Sequence, residues 1–173
     1  MKKLAVIFVL LLVGANTLTA QSKAERKALR EEKALKAYEE VKELVASGVF
    51  TFVGEWANPI SGPRITLIGN PNHLKISEGR VDAYLPYFGV RFTGGGFGES
   101  GGVKFMGAPK NYEVVEDDKK RRIIIKFNAE NKQEHYDLIL TISGGGNTTI
   151  SLTSSSRSSI TYMGEIGPPE DLE

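Results

Sequence analysis

The stretch RRIIIKFNAENKQEHYDLILTISGGGNTTISLTS, residues 121–154, decides the fold. Ile123, Ile125 and Phe127, then Tyr136, Leu138, Leu140 and Ile142, then Ile150 and Leu152 occupy every second position. A period of two sends alternate side chains to opposite faces, so each run predicts a strand with one dry face and one wet face. Between them, Asn131-Lys132-Gln133 and Gly144-Gly145-Gly146-Asn147 are turn sequences. They are too short for helical crossovers, so neighbouring strands must run antiparallel.

The same rhythm extends both ways. Upstream, Phe50, Phe52 and Trp56 share one face while Thr51 and Glu55 take the other. They are followed by the apolar pairs and triplets Ile65/Leu67, Leu74/Ile76, Val81/Ala83/Leu85, Val103/Phe105 and Tyr112/Val114; downstream come Ile160 and Tyr162. Further turns are expected at Asn70-Pro71-Asn72, Ser77-Glu78-Gly79 and Asp117 to Lys120. Nine or ten strands should therefore form a mainly β, antiparallel meander, closed as a barrel or, alternatively, folded as a β-sandwich. Closure is favoured because it removes the edges that a run such as Ile123-Ile124-Ile125 would expose. Lys120, Arg121, Arg122 and Lys126 flank that run and read as charged gatekeepers. A nucleic-acid site is disfavoured there, since Glu116, Asp117 and Asp118 lie just across the turn.

Residues 22–47 contain neither Gly nor Pro. Ser22 and Glu25 have the spacing of a capping box, which predicts a helix starting there, and Gly48 is placed to end it. Ala34, Tyr38, Val41 and Val45 form one apolar stripe over its second half; the first half, rich in Lys, Glu and Arg, reads as a solvated face.

The first residues have the pattern of a secretory signal peptide: basic Lys2 and Lys3, the apolar run Leu4 to Val13, then Leu18-Thr19-Ala20 before Gln21. The apolar run is about half the ~20 residues a spanning helix needs, so cleavage after Ala20 is expected rather than a retained anchor. The layout is then 1–20 signal peptide, 21–48 charged helix, 49–167 β domain and 168–173 tail. With no cysteine in the chain, neither disulfides nor a lipoprotein anchor are available. The expected product is soluble, periplasmic or secreted, and not a lipoprotein. Charge is nearly balanced, 22 basic against 21 acidic residues, which gives no overall field for nucleic acid or an anionic membrane.

Tempting motifs fail on context. Gly96 to Gly101 has dinucleotide-binding spacing, but Val103-Lys104-Phe105 follows as a strand rather than the helix that would receive a pyrophosphate. Gly98-Glu99-Ser100-Gly101-Gly102 resembles a nucleophile elbow and makes a hydrolase using Ser100 the alternative function. Its partners would be His135 with Asp117, or His73 with Asp82; again the helix after the elbow is missing, and the chain is too short for a two-barrel protease. Two separated histidines and no cysteine give no metal site, and no cofactor is expected. The contiguous Glu116, Asp117 and Asp118 lack the spaced ligands of a calcium loop. In Leu85-Pro86-Tyr87-Phe88-Gly89 the proline stops a strand, so Tyr87 and Phe88 either plug the barrel end or, with Phe97, line the mouth of a ligand pocket. Arg157 is the one charge within Ser154 to Ser159, read as a surface residue or as a buried clamp for carboxyls of neighbouring strands.

Taken in order, Phe50-Thr51-Phe52, Leu85 to Gly89, Gly101-Gly102-Val103-Lys104-Phe105, Glu134-His135-Tyr136, Ser156-Arg157 and Ile160-Thr161-Tyr162-Met163-Gly164 resemble the family named domain of unknown function 4251. The likeness runs from the first residues to Ile166. It implies an exported bacterial protein with a lipocalin-like β-barrel and brings no catalytic residue; where such a chain would carry a tyrosine in the glycine loop, this one has Phe97. The expectation is a non-enzymatic envelope protein, with Tyr87, Phe88, Phe97 and Arg157 as candidate ligand contacts. Either a small apolar or amphipathic ligand enters the barrel, or the barrel is filled by its own side chains and the projecting helix, Ser22 to Lys33, docks onto another envelope component. The inward set Phe50, Phe52, Trp56, Phe105, Phe127 and Tyr136 tilts the balance towards a filled core.

Overall fold

The computed structural model describes residues 2–92, 101–131 and 134–169, with side chains from Lys23 onwards. It divides into two compact units, Met1–Lys36 and Ala37–Glu173. One helix, α1, spans Lys2–Ala46. The predicted start at Ser22 is therefore corrected: Ala and Leu upstream favour helix, and with a helical turn already present the donors that a cap would satisfy find carbonyls four residues back. Gly48 ends α1 as expected, at φ +67°, a left-handed conformation that costs a residue with a Cβ. In the first unit residues 23–36 are exposed, Ala34 among them, so the apolar stripe begins only at Tyr38.

Among the described residues ten strands follow: β1 (Phe50–Pro59), β2 (Ile65–Thr66), β3 (His73–Ser77), β4 (Arg80–Leu85), β5 (Val103–Gly107), β6 (Lys110–Asp117), β7 (Arg122–Glu130), β8 (His135–Ser143), β9 (Asn147–Ser154) and β10 (Ile160–Gly167). All pairings are antiparallel, in the order β5-β4-β3-β1-β10-β9-β8-β7-β6, with β2 added on β1. This is the curled meander of a lipocalin-like barrel, with the first long strand paired to the last. Its free edges, β5 and β6, are consecutive in the chain and joined by only Ala108 and Pro109. Three features keep them from forming a hairpin ladder: Pro109 has no donor, Gly107 has φ +156°, and Asn111 is left-handed where β6 slips register against β7 between Lys110 and Glu113.

The interior is filled. Phe50, Phe52, Leu85, Val103, Ile123, Ile125, Tyr136, Leu140, Ile142, Ile150 and Tyr162 are completely buried, and Phe105 and Phe127 nearly so. Fully burying each large side chain is worth about 1.5–3 kcal/mol. Within the second unit Tyr38, Val41 and Val45 join this core, and Tyr38 and Val41 meet the β8–β9 turn at Gly144 and Gly146. Tyr38 donates to Asp118 at 2.9 Å, and Lys42 pairs with Asp118 (3.1 Å) and Glu116 (2.9 Å).

Two alternation readings need correction. Trp56 does not share the face of Phe50 and Phe52: a bulge between Gly54 and Trp56 shifts the register against β10, so Ala57 turns inward and Trp56 outward. At the bulge the backbones of β1 and β10 nearly touch, and a Cβ on Gly164 would lie 2.0 Å from Val53 O. Tyr112 and Val114 pair with β7 on the face of Ile125, yet stay about 40 % exposed, because β6 is covered on one side only.

Candidate functional site

The open seam between β5 and β6 is closed at one end by side chains. Arg157, in the β9–β10 connection, is 3 % exposed and Glu134, just before β8, is 5 % exposed. The Arg157 Nε–H is shared between both Glu134 oxygens (2.8 and 2.9 Å), while Nη1 donates to the carbonyls of Gly101 and Gly102, each at 3.1 Å. The guanidinium therefore satisfies edge acceptors that a neighbouring strand would otherwise take. Glu134 also accepts from Tyr136 (2.9 Å) and from the Ser154 hydroxyl. Asn131 donates to the Tyr136 hydroxyl (2.9 Å) and to Lys104 O (3.0 Å), and Phe105 lies against Tyr136 with ring centroids 5.3 Å apart.

Burial by itself would push the Glu134 carboxyl up, but the Arg157 guanidinium and the Ser154 and Tyr136 hydroxyls more than offset it and hold it below the usual carboxylate range. Tyr136 is pushed up to about 12, by burial first and by its bond to Glu134 second. Through these hydrogen bonds the cluster acts as a latch between the entry to β5, the start of β8 and the β9–β10 connection.

Of the four residues read from sequence as ligand contacts, two meet here. The Arg157 guanidinium lies 5.0 Å from the centre of the Tyr87 ring, and the Tyr87 hydroxyl donates to Ser158 O at 2.8 Å. Phe88 is 41 % exposed and stays at the surface. Phe97 lies outside the described residues. The segment around Arg91 runs antiparallel beside Arg157, held by Phe92 N to Ser156 O (2.8 Å) and Ser158 N to Val90 O (2.9 Å). Arg157 is thus the buried clamp rather than a surface residue. Glu134 escaped sequence reasoning because its signal, one acid before an alternating run, is indistinguishable from a turn residue.

Of the residues weighed for catalysis, His73 and Asp82 meet, whereas His135 and Asp117 lie at opposite ends of β7. His73 Nε2 sits 3.6 Å from Asp82 across β3 and β4, and His135 pairs with Glu130 at 3.3 Å in an exposed position. Ser100 lies outside the described residues. No group of three or more His, Asp or Glu side chains is placed to hold a metal ion among the described residues.

A separate groove of about 480 Å³ crosses the outer face of the sheet. It is lined by Trp56 of β1, Met163 of β10, Asn147 and Thr149 of β9, Thr141 and Ser143 of β8, and by Arg64, Lys120, Arg121 and Arg122 with Glu55. A shallower depression of about 530 Å³ follows β4 and β5 through Tyr84, Lys104, Phe105 and Met106.

The family model described as domain of unknown function 4251 matches residues 32–166. Among solved structures, the chain is similar to the crystal structure of a DUF4251 family protein from Bacteroides eggerthii, at 18 % identity and a TM-score of 0.58, covering 76 % of this chain and 87 % of that one. At that identity the likeness concerns the fold alone. No curated protein matches the chain.

Proposed function

The chain belongs to the family described as domain of unknown function 4251, and we propose that it is an exported, non-enzymatic protein of the bacterial envelope that binds its ligand or partner on the outside of a filled barrel. The observation that carries this reading is the packed interior. Phe50, Phe52, Phe105, Phe127 and Tyr136 all point inward and are at most 5 % exposed. A lipocalin-like barrel that carries an apolar cargo needs an inner void, and here that volume is taken by the protein's own rings. The Arg157–Glu134 latch supports the same view, since it ties Gly101 and Gly102, at the entry to β5, to the starts of β8 and β10. Export is supported by Lys2, Lys3, the short apolar run and Ala20. No described helix is long and apolar enough to cross a membrane.

Native mass spectrometry on the protein purified gently from its own periplasm tests the reading. A bare mass for the barrel, or a protein partner, is the expected result. A stoichiometric apolar small molecule that survives purification would overturn it and send mutagenesis to Tyr87, Phe88 and Phe97.

A further inference from the structure

We propose that the outer-face groove over Trp56 and Arg122 is a binding site for an anionic sugar, one that carries a phosphate or carboxylate group; the inference deepens the outer-surface reading and rests on it.

Cations predominate among the residues that line the groove. Arg64, Lys120, Arg121 and Arg122 line it, with Glu55 among the lining residues and Asp117 lying 3.1 Å from Arg122 Nη2 and 3.8 Å from Lys120 Nζ. The other acids of this hairpin, Glu116 and Asp118, pair with Lys42. The Arg122 side chain is 36 % exposed, and planar guanidinium groups suit phosphate and carboxylate oxygens. Arg121 closes the hairpin in a left-handed conformation, φ +48°, where glycine or asparagine would be cheaper.

The floor argues for a sugar rather than a bare anion. Register places Trp56, Met163, Thr149 and Thr141 side by side in one row across β1, β10, β9 and β8, all on the outer face. Thr141, Thr149, Ser143 and Asn147 present hydroxyl and amide groups on rigid strands, suited to the vicinal hydroxyls of a sugar. Trp56 and Met163 offer an apolar surface for its C–H face. Few fixed polar groups around an apolar patch is the general build of a small-ligand site. Arg64 lies over the Trp56 ring at 4.0 Å, which holds a cation beside that surface. The site exists only because of the β1 bulge, which turns Trp56 out of the core.

Trp56 is the single tryptophan of the chain, so its fluorescence reports on the groove alone. Titration of the full protein with glucose 1-phosphate and with glucuronate should give a saturable change, while neutral glucose gives none. Arg122→Gln and Arg64→Gln should each weaken binding about tenfold or more, as loss of a charge-assisted bond implies. Thr149→Val, which leaves the cations intact, should weaken sugar phosphate more than inorganic phosphate. The proposal is overturned if neither anionic sugar changes the signal, if neutral glucose binds as well, if inorganic phosphate binds as tightly as the sugar phosphate, or if both arginine variants, with melting curves like the parent, bind unchanged. Failure here leaves the filled barrel standing. An apolar molecule found by native mass spectrometry, with the Trp56 response intact, defeats the filled barrel and leaves the groove standing.

Discussion

Replacing Glu134 by glutamine keeps the shape of the side chain and removes one charge from a deeply buried ion pair. Arg157, 3 % exposed, then retains a positive charge with no counter-ion. Breaking one side of a buried pair costs about 3–5 kcal/mol, because the remaining charge is neither solvated nor paired. The amide still accepts one hydrogen bond, so the lower part of that range is expected. On a domain of this size that corresponds to a melting temperature lower by roughly 10 °C.

Urea unfolding at pH 7 measures the change, with the dependence on denaturant unaltered if the fold is kept. Replacing both partners, Glu134→Leu with Arg157→Met, removes the stranded charge but orphans the carbonyls of Gly101 and Gly102. The double variant should recover part of the loss and stay about 1–3 kcal/mol below the parent. The pH dependence has a fixed sign. The folded Glu134 carboxyl sits below its unfolded value of about 4.3, so its contribution is complete above that pH and is lost as pH falls through the lower folded value. Glu134→Gln should abolish that part of the acid slope. A loss under about 1 kcal/mol, with the acid limb unchanged, would refute the reasoning that the pair holds the seam.

Gly164→Ala should destabilise by about 3 kcal/mol or prevent folding, since the added methyl would sit 2.0 Å from Val53 O; thermal melting or soluble yield reads this out. Tyr38→Phe removes the bond to Asp118 while keeping the ring in the core, and should cost about 1 kcal/mol in urea unfolding. Intact mass of the exported product should correspond to a chain starting at Gln21.

The strands were legible in the sequence because burial on one face imposes a period of two, and that signal is local. Ile123 to Phe127, Tyr136 to Ile142 and Ile160 to Tyr162 needed only their own neighbours to be assigned, as did the helix stripe at Tyr38, Val41 and Val45 and the stop at Gly48. Composition likewise excluded disulfides. Tertiary structure alone decided which side Trp56 takes, since one extra residue in a bulge reverses every later side chain and has no mark in the alternation except Gly54. It also decided that Arg157 meets Glu134, 23 residues away, and that Arg157 reaches over to Gly101 and Gly102. Such pairings depend on which strands become neighbours at a seam. That is settled by how far ten twisted strands curl before their edges meet, a property of the whole sheet and of no segment in it.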